Sequence, residues 1–427
     1  MFKVQNMYFP PLWVWKRMVR PVDQHIELEP ALEKILRAIE PQKKTHTIPL
    51  LEALGQISSE DIFSSVQVPA FNRSAMDGYA VVSANTTDAS KESPIVLPVG
   101  EERLAGDYNE KYISPTVAVR VMTGACVPDG FDAVVKQEDT NCGEDKVEIY
   151  NEAKPFQNYS RAGEDIQIND RLISKMTKLT PVHLGILASA GIFEVNVFRP
   201  LKVGVVFTGD ELETDKVSLK RGKIYNSNKY TLLGNLKILG CESIHIQLGD
   251  DAASVCEIIK KWIPLVDIMI TTGGVSVGKK DIMHEVITRL GARKLFWRVN
   301  IQPGTPVLAS TYKNKLILSL SGNPFAAFVN FELLVKPALN AMRHYPGLYI
   351  KKRAILWDAY EKKSKKRRFL RAFYQDGTVF LPASHHESSI ISNMKECNCL
   401  IDIPAGTERL KKGAKIQVVL MSGEGGR

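Results

Sequence analysis

The chain has 427 residues, too many for one hydrophobic core and enough for about three domains of ordinary size. Apolar residues make up 44% and charged residues 24%, which excludes an intrinsically disordered chain. The net charge of +9 is uneven: residues 1–22 carry four bases (Lys3, Lys16, Arg17, Arg20) and no acid, and residues 351–371 carry ten bases against Asp358 and Glu361. The remainder is slightly acidic, so a uniformly basic nucleic-acid coat is excluded.

Residues 7–15 are apolar and aromatic, but two prolines interrupt them and most of the neighbouring bases follow, the reverse of a secretory signal. Residues 1–26 read as a flexible tail, with Met18 as an alternative start. No apolar stretch approaches the roughly 20 residues of a membrane span. From Glu27 to Ile39, Leu28, Leu32, Ile35, Leu36 and Ile39 share one helical face. From about residue 60, short apolar runs broken by Gly, Pro, Asn and Asp predict a small, mostly β unit, with strands at 81–82, 117–122 and 133–135. A connecting stretch follows at 166–195, with a helix at 181–190. Strands at 202–207, 243–248, 266–271, 294–299 and 315–320 then alternate with helices at 228–239, 252–263, 281–290 and 324–342. That alternation predicts a parallel, doubly wound α/β sheet. Beyond Pro346 the predicted strands at 354–357, 369–374, 379–381, 399–403 and 415–421 suggest a small β-barrel. The six cysteines form no CxxC pair and read as free thiols in a reducing compartment, with no zinc site. His385-His386 reads as an exposed loop pair.

In an open α/β sheet, ligands bind beyond the carboxyl ends of the strands. Three polar loops fall there: Thr208-Gly209-Asp210-Glu211, Thr271-Thr272-Gly273-Gly274-Val275-Ser276-Val277-Gly278 and Ser321-Gly322-Asn323-Pro324. Glycines let successive N–H groups face one point, and a following helix start adds positive potential, which favours a phosphate or another oxyanion. Each loop alone is also an ordinary turn; together on one sheet edge they make a site. Glu211 and Asp281 fall near it. Carboxylates beside a phosphate call for a bridging cation such as Mg²⁺, whereas Asp281 also fits a plain helix N-cap. Upstream, residues 71–80, Thr123-Gly124 and 161–165 each read by themselves as solvated turns.

Taken in order, Ser74-Ala75-Met76-Asp77-Gly78-Tyr79-Ala80, Met122-Thr123-Gly124, Asp132-Ala133-Val134-Val135, Gln137-Glu138-Asp139 and Gly163-Glu164-Asp165-Ile166 closely resemble a known family. So do Thr208-Gly209-Asp210-Glu211-Leu212, Ile224-Tyr225-Asn226-Ser227-Asn228, the Gly273–Gly278 loop with Asp281, and Gly322-Asn323-Pro324. The family is the molybdopterin molybdenumtransferases, the MoeA proteins, related to the gephyrin E domain. The resemblance spans about residues 27–423. It implies a multidomain α/β plus β protein: a tail (1–26), a split elongated domain (27–65 and 156–195), a small mostly β domain (66–155), a doubly wound, mostly parallel α/β domain (196–345) and a C-terminal β-barrel (346–427).

The resemblance also implies a cytoplasmic enzyme of molybdenum cofactor biosynthesis. It inserts molybdate into adenylylated molybdopterin and releases AMP in a Mg²⁺-dependent step. It implies a homodimer whose site joins the α/β domain of one subunit to the upstream domains of the other. An adenylyltransferase would act before it, and molybdoenzymes would accept the product. Thr272, Gly273, Gly274, Val275, Ser276 and Gly278 would hold the pterin phosphate, with Thr123, Ser321, Asn323 and Pro324 completing the substrate site. Asp281 and Glu211 would bind Mg²⁺, and Asp250, Asp77 and Asp165 match important acidic positions. Gln302, Pro303, Arg371 and Ser388 would bind molybdate, a guanidinium and a hydroxyl being suited to clamp a tetrahedral oxyanion. The family often shows Lys-Pro-Gly-Lys-Pro where this chain has Gln302-Pro303-Gly304-Thr305-Pro306. That departure keeps two alternatives open, a tungstate-preferring enzyme and a pterin-binding scaffold with reduced turnover. The run Lys365-Lys366-Arg367-Arg368 reads either as a solvated face or as part of the oxyanion surroundings. Nucleic acid is not expected, because that segment lacks interleaved aromatic residues and any recognisable module.

Overall fold

The computed structural model describes residues 23–108, 111–213, 218–275, 282–345, 347–382 and 387–421. The chain divides into two units, one comprising residues up to Lys44 together with those from Phe198 onward, the other Thr45–Val197.

The first unit holds a seven-stranded sheet in the order Asp23–Ile26, Arg293–Val299, Leu308–Tyr312, Lys315–Leu320, Ile268–Thr272, Lys202–Thr208, Glu242–Leu248. The last four strands are mutually parallel. Helices cover both faces. Val203, Val205, Phe207, Ile270 and Leu318 pack on one side with Leu232, Leu236 and Leu339. Val206, Met269 and Ile317 pack on the other with Val255, Ile259, Met283 and Ile287. Burial on two faces explains why these strands read as nearly continuous apolar runs. Each such side chain contributes roughly 1.5–3 kcal/mol.

The sheet is not wholly parallel. Leu308–Tyr312 runs antiparallel to both neighbours, joined to Lys315–Leu320 through Lys313 and Asn314, whose φ angles are +47° and +59°. Two central residues in the left-handed region make the tight hairpin that matches strand twist. Lys-Asn is a weak turn signal, so the sequence did not announce it.

Residues 23–26 of the expected tail, and the first helix, also lie elsewhere than the sequence suggested. Asp23–Ile26 is an edge strand paired with Arg293–Val299. Leu28, Ala31, Ile35 and Ile39, on and just after the helix Leu28–Ala38, bury into the core of the seven-stranded sheet. Residues 27–44 therefore belong with the α/β unit and not with the split domain. A helical stripe shows that a face is buried, but not against what.

The predicted helix at 324–342 is interrupted. Pro324–Asn330 passes through a π turn, Phe331–Val335, into Lys336–Met342. Pro337 has no N–H to give the Leu333 carbonyl. The Tyr349 hydroxyl donates to that carbonyl instead, at 2.6 Å. Beyond it, Arg367–Gln375, Thr378–Phe380, Ile350–Leu356, Lys415–Leu420 and Cys399–Ile403 close on themselves as a five-stranded barrel. The short strand Ile301–Gln302 adds to this sheet in parallel, with Gln302 opposite Arg368.

The second unit contains a five-stranded sheet in the order Ala133–Lys136, Gly78–Val81, Ala118–Val121, Ile95–Arg103, Lys146–Ile149. Ile95–Arg103 escaped the sequence reading because Pro98 and Gly100 interrupt it. The register against Ala118–Val121 shifts at Gly100, as glycines in strands often mark bulges. Ile62–Phe63 pairs with Arg171–Ile173, bringing together two stretches far apart in the chain. All six cysteines are free, and burial pushes the Cys397 thiol up to about 11 and Cys399 up to about 12. Among the described residues no helix is long and apolar enough to cross a membrane.

Candidate active site

Lys202–Thr208, Ile268–Thr272 and Lys315–Leu320 are adjacent parallel strands, so their carboxyl-terminal loops leave from one edge. The loops touch. The Gly273 N–H donates to the Leu320 carbonyl at 3.3 Å, and the Thr208 hydroxyl donates to the Thr272 carbonyl at 3.1 Å. At Gly273, with φ +92°, an added Cβ would lie 2.3 Å from the Thr208 carbonyl oxygen, and it would lie 3.6 Å from the Gly273 Cα if added at Gly322. Only glycine permits that approach at Gly273. The Asn228 Nδ2 donates to the Gly322 carbonyl at 2.8 Å and fixes the third loop to the helix Ser227–Ile238. Thr272, Val275 and Ser321 are buried, whereas Asn323 is exposed and precedes Pro324 at the helix start. Ser276, Gly278 and Asp281 lie outside the described residues.

The acidic corner lies one strand further on. Asp250 donates its N–H to Asp210 Oδ1 at 3.0 Å, tying the end of Glu242–Leu248 to the end of Lys202–Thr208. Glu211 is exposed and its carboxylate folds over Gly209, where an added Cβ would meet Oε2 at 2.7 Å. Among the described residues, no three Asp, Glu, His or Cys side chains are grouped to hold a cation. The donors present fit Mg²⁺ in its usual mode, in which one or two carboxylates share the ion with phosphate oxygens and water.

A second cluster joins the sheet edge to the barrel. Asn330, fully buried, donates from Nδ2 to the Gly304 carbonyl at 2.8 Å and accepts from the Ser321 N–H at 3.4 Å. It therefore binds the Gln302–Pro306 turn to the third glycine loop. The Phe325 N–H donates to the Ser388 carbonyl at 3.0 Å, bringing Ser388 to the same helix start. Gln302 is exposed, and its Oε1 accepts from Arg368 Nη2 at 2.9 Å. Arg371 differs from the expectation of a guanidinium facing an anion. It is fully buried, stacked 3.8 Å from the centre of the Phe325 ring, and donates to the Glu387 carbonyl at 2.7 Å and to the Ile390 carbonyl. Burial pushes its pKa down. A guanidinium inside a barrel wall must find acceptors, and the carbonyls on either side of Ser388 supply them.

In the second unit, Asp77 and Thr123 come together across 46 residues of sequence: Asp77 Oδ1 accepts from the Thr123 hydroxyl at 2.6 Å and from its N–H at 2.7 Å. Those two bonds, the hydroxyl's first, hold the Asp77 carboxyl below the ordinary range. Asp165 is exposed beside Glu164, whose carboxylate accepts from the Ser160 hydroxyl and from the Arg161 N–H.

Family models match three consecutive stretches: MoeA N-terminal region (domain I and II) at residues 26–191, probable molybdopterin binding domain at 204–341, and MoeA C-terminal region (domain IV) at 353–421. The chain belongs to the MoeA family. A MoeA relative from Bacillus subtilis, named molybdopterin molybdenumtransferase, is 35% identical over 420 residues, covering 96% of each chain. Molybdopterin molybdenumtransferase 2 of Mycobacterium tuberculosis is 33% identical over 412 residues, 94% of this chain and 99% of the relative. The crystal structure of the molybdopterin biosynthesis MoeA protein of Pyrococcus horikoshii superposes with a TM-score of 0.83 at 30% identity, covering 94% of this chain and all of that one.

Two site residues of this MoeA chain went unmarked in the sequence. Asn330 sits in an apolar helix, and nothing about its neighbours distinguishes it from a solvent-facing polar residue; a lone amide within Phe325–Val335 was the available signal. Arg368 was hidden in a basic run whose members have separate fates. Lys365 and Lys366 are exposed, whereas Arg367 is bonded to Asp402 at 2.7 Å and to Glu29 at 2.7 Å. Arg368 alone of the four reaches Gln302.

Proposed function

We propose that this chain is a molybdopterin molybdenumtransferase, inserting molybdate into adenylylated molybdopterin with release of AMP. The observation that carries the reading is the contact of glycine loops at one sheet edge, tied through Asn330 and Phe325 to the Gln302, Arg368 and Ser388 cluster. The first half suits a phosphorylated pterin and the second a tetrahedral metal oxyanion. Thr272, Gly273, Gly274 and Val275, continuing to Ser276 and Gly278, cradle the phosphate. Glu211 and Asp281, together with Asp250, would hold Mg²⁺, and the ion would supply positive charge to the phosphoanhydride oxygens.

Arg368 supplies the cation that Gln302 lacks, and Ser388 donates its hydroxyl to the oxyanion. Arg371 acts through the backbone on either side of Ser388. Replacing molybdate oxygens with two dithiolene sulfurs requires those oxygens to leave protonated. Asp77 and Asp165 of a second copy in a homodimer complete the site; Asp77, its carboxyl held low by Thr123, enters ionised and accepts hydrogen bonds from the reacting groups. An adenylyltransferase precedes this step, molybdoenzymes accept the product, and the setting is cytoplasmic.

The test incubates purified protein with adenylylated molybdopterin, Mg²⁺ and molybdate, then with tungstate in its place. AMP release is expected with molybdate. Release with tungstate alone moves the assignment to that metal, and pterin binding without release under either leaves only a binding role.

A further inference from the structure

At the other edge of the seven-stranded sheet, where the parallel strands begin, a cleft of about 300 Å³ opens among Gln42, Lys44, Asp267, Lys315 and Met342. The proposed reaction uses none of these residues. One buried donor of this lining has no acceptor, Gln42 Nε2, and the Nε of Arg199, beside the lining, has none either. Gln42 is only 8% exposed, and its amide is oriented: Oε1 accepts from the Lys44 N–H at 3.1 Å, so Nε2 is the end left over. Its backbone is pinned as well, the N–H donating to the Met342 carbonyl at 2.7 Å. Arg199 flanks the cleft, its N–H donating to the Lys44 carbonyl at 2.9 Å and its Nη2 standing 3.7 Å from Asp267 Oδ2.

The charges leave a positive balance. Lys43 pairs with Glu40 at 3.3 Å, and Asp267 faces both Arg199 and, at 4.0 Å, Lys315. One carboxylate, already accepting the Lys202 N–H at 2.8 Å, is thus set against Arg199, Lys315 and Lys44. Buried donors without acceptors are costly, and an incoming acceptor that also carries negative charge relieves both the orphaned donors and the excess base. We propose that this cleft binds a small oxyanion-bearing molecule, phosphate or carboxylate, at a site separate from the glycine loops. Occupancy would fasten residues 42–44 to Arg199, beside the two points where the chain leaves and re-enters this unit.

The test titrates the full-length protein, in buffer free of other oxyanions, with inorganic phosphate and separately with malonate, followed by calorimetry. Binding of either is expected; phosphate alone defines a phosphate site, and both together a general oxyanion site. Gln42→Leu and Lys315→Met should each weaken binding about tenfold, while Lys91→Ala, at an exposed position in the other unit, leaves it unchanged. Lys315 is only half-buried, so its variant keeps the test decisive if Gln42→Leu does not fold. No binding of either anion at about 10 mM, or binding that survives Lys315→Met and is lost in Lys91→Ala, overturns the proposal.

Discussion

Replacing Asn330 with leucine tests whether one amide holds the oxyanion turn against the glycine loops. Leucine shares asparagine's branched outline but is larger, so the substitution leaves no cavity, removes the polar groups and crowds Gly304 somewhat. It strands the Gly304 carbonyl, now bonded at 2.8 Å, and the Ser321 N–H, bonded at 3.4 Å. A buried group left without its partner costs about 1–3 kcal/mol, and the longer bond belongs at the low end, so the expected loss is about 2–4 kcal/mol. Urea unfolding of wild type and variant measures it. AMP release at varied molybdate should show a raised KM, because Gln302 and Pro303 lose their tie to Ser321. Asn330→Asp sharpens the test. Its ionised carboxylate would face the Gly304 carbonyl with no proton to give, and burial raises its pKa, so the variant should recover stability as the pH falls and the acid protonates. A leucine variant within about 0.5 kcal/mol of wild type, with unchanged molybdate dependence, would refute the bridging role.

Four further outcomes are expected. Arg371→Met leaves the Glu387 and Ile390 carbonyls without their charged donor and should cost about 2–4 kcal/mol, whereas Arg368→Ala should stay within about 1 kcal/mol yet raise the KM for molybdate; equal effects on stability would erase the distinction between positioning and contact. Gly273→Ala puts a Cβ 2.3 Å from a backbone oxygen at φ +92° and should abolish pterin binding measured by fluorescence titration, so normal affinity would count against the cradle. The Asp77 carboxyl is held below its ordinary value by Thr123, so its contribution to stability is present above about pH 4 and is lost as the pH falls through the lowered folded value. Thr123→Val should move the Asp77 titration, followed by carboxyl carbon NMR, back upward. Asp281→Ala should end AMP release while the protein stays folded, with a loss of at most about 2 kcal/mol if the residue also caps its helix, and normal turnover would remove its assigned role in binding Mg²⁺.

Much of the molecule was legible in order of chain. The alternation of strands and helices through residues 202–342 located the α/β unit, because strands covered on both faces must be apolar throughout and their connecting helices amphipathic. The glycine loops were legible for a related reason: a backbone approach as close as that of Gly273 to Thr208 excludes every side chain, so the sequence carries the glycine that geometry demands. Family motifs then joined distant loops that composition alone left as turns.

What remained hidden depended on partners. Periodicity marked the buried face of the helix Leu28–Ala38 but did not say that it docks on the α/β sheet, since any apolar surface satisfies a stripe. The four bases from Lys365 to Arg368 look alike in sequence, and only the barrel's register decides that one bonds Asp402, another Gln302, and two stay in solvent. Arg371 gained its fate in the same way, from carbonyls brought to it by a chain segment 16 and 19 residues away. Covalent and steric demands are local and leave their mark residue by residue. Hydrogen-bond partners and burial are set by the whole fold, and there the tertiary structure decided.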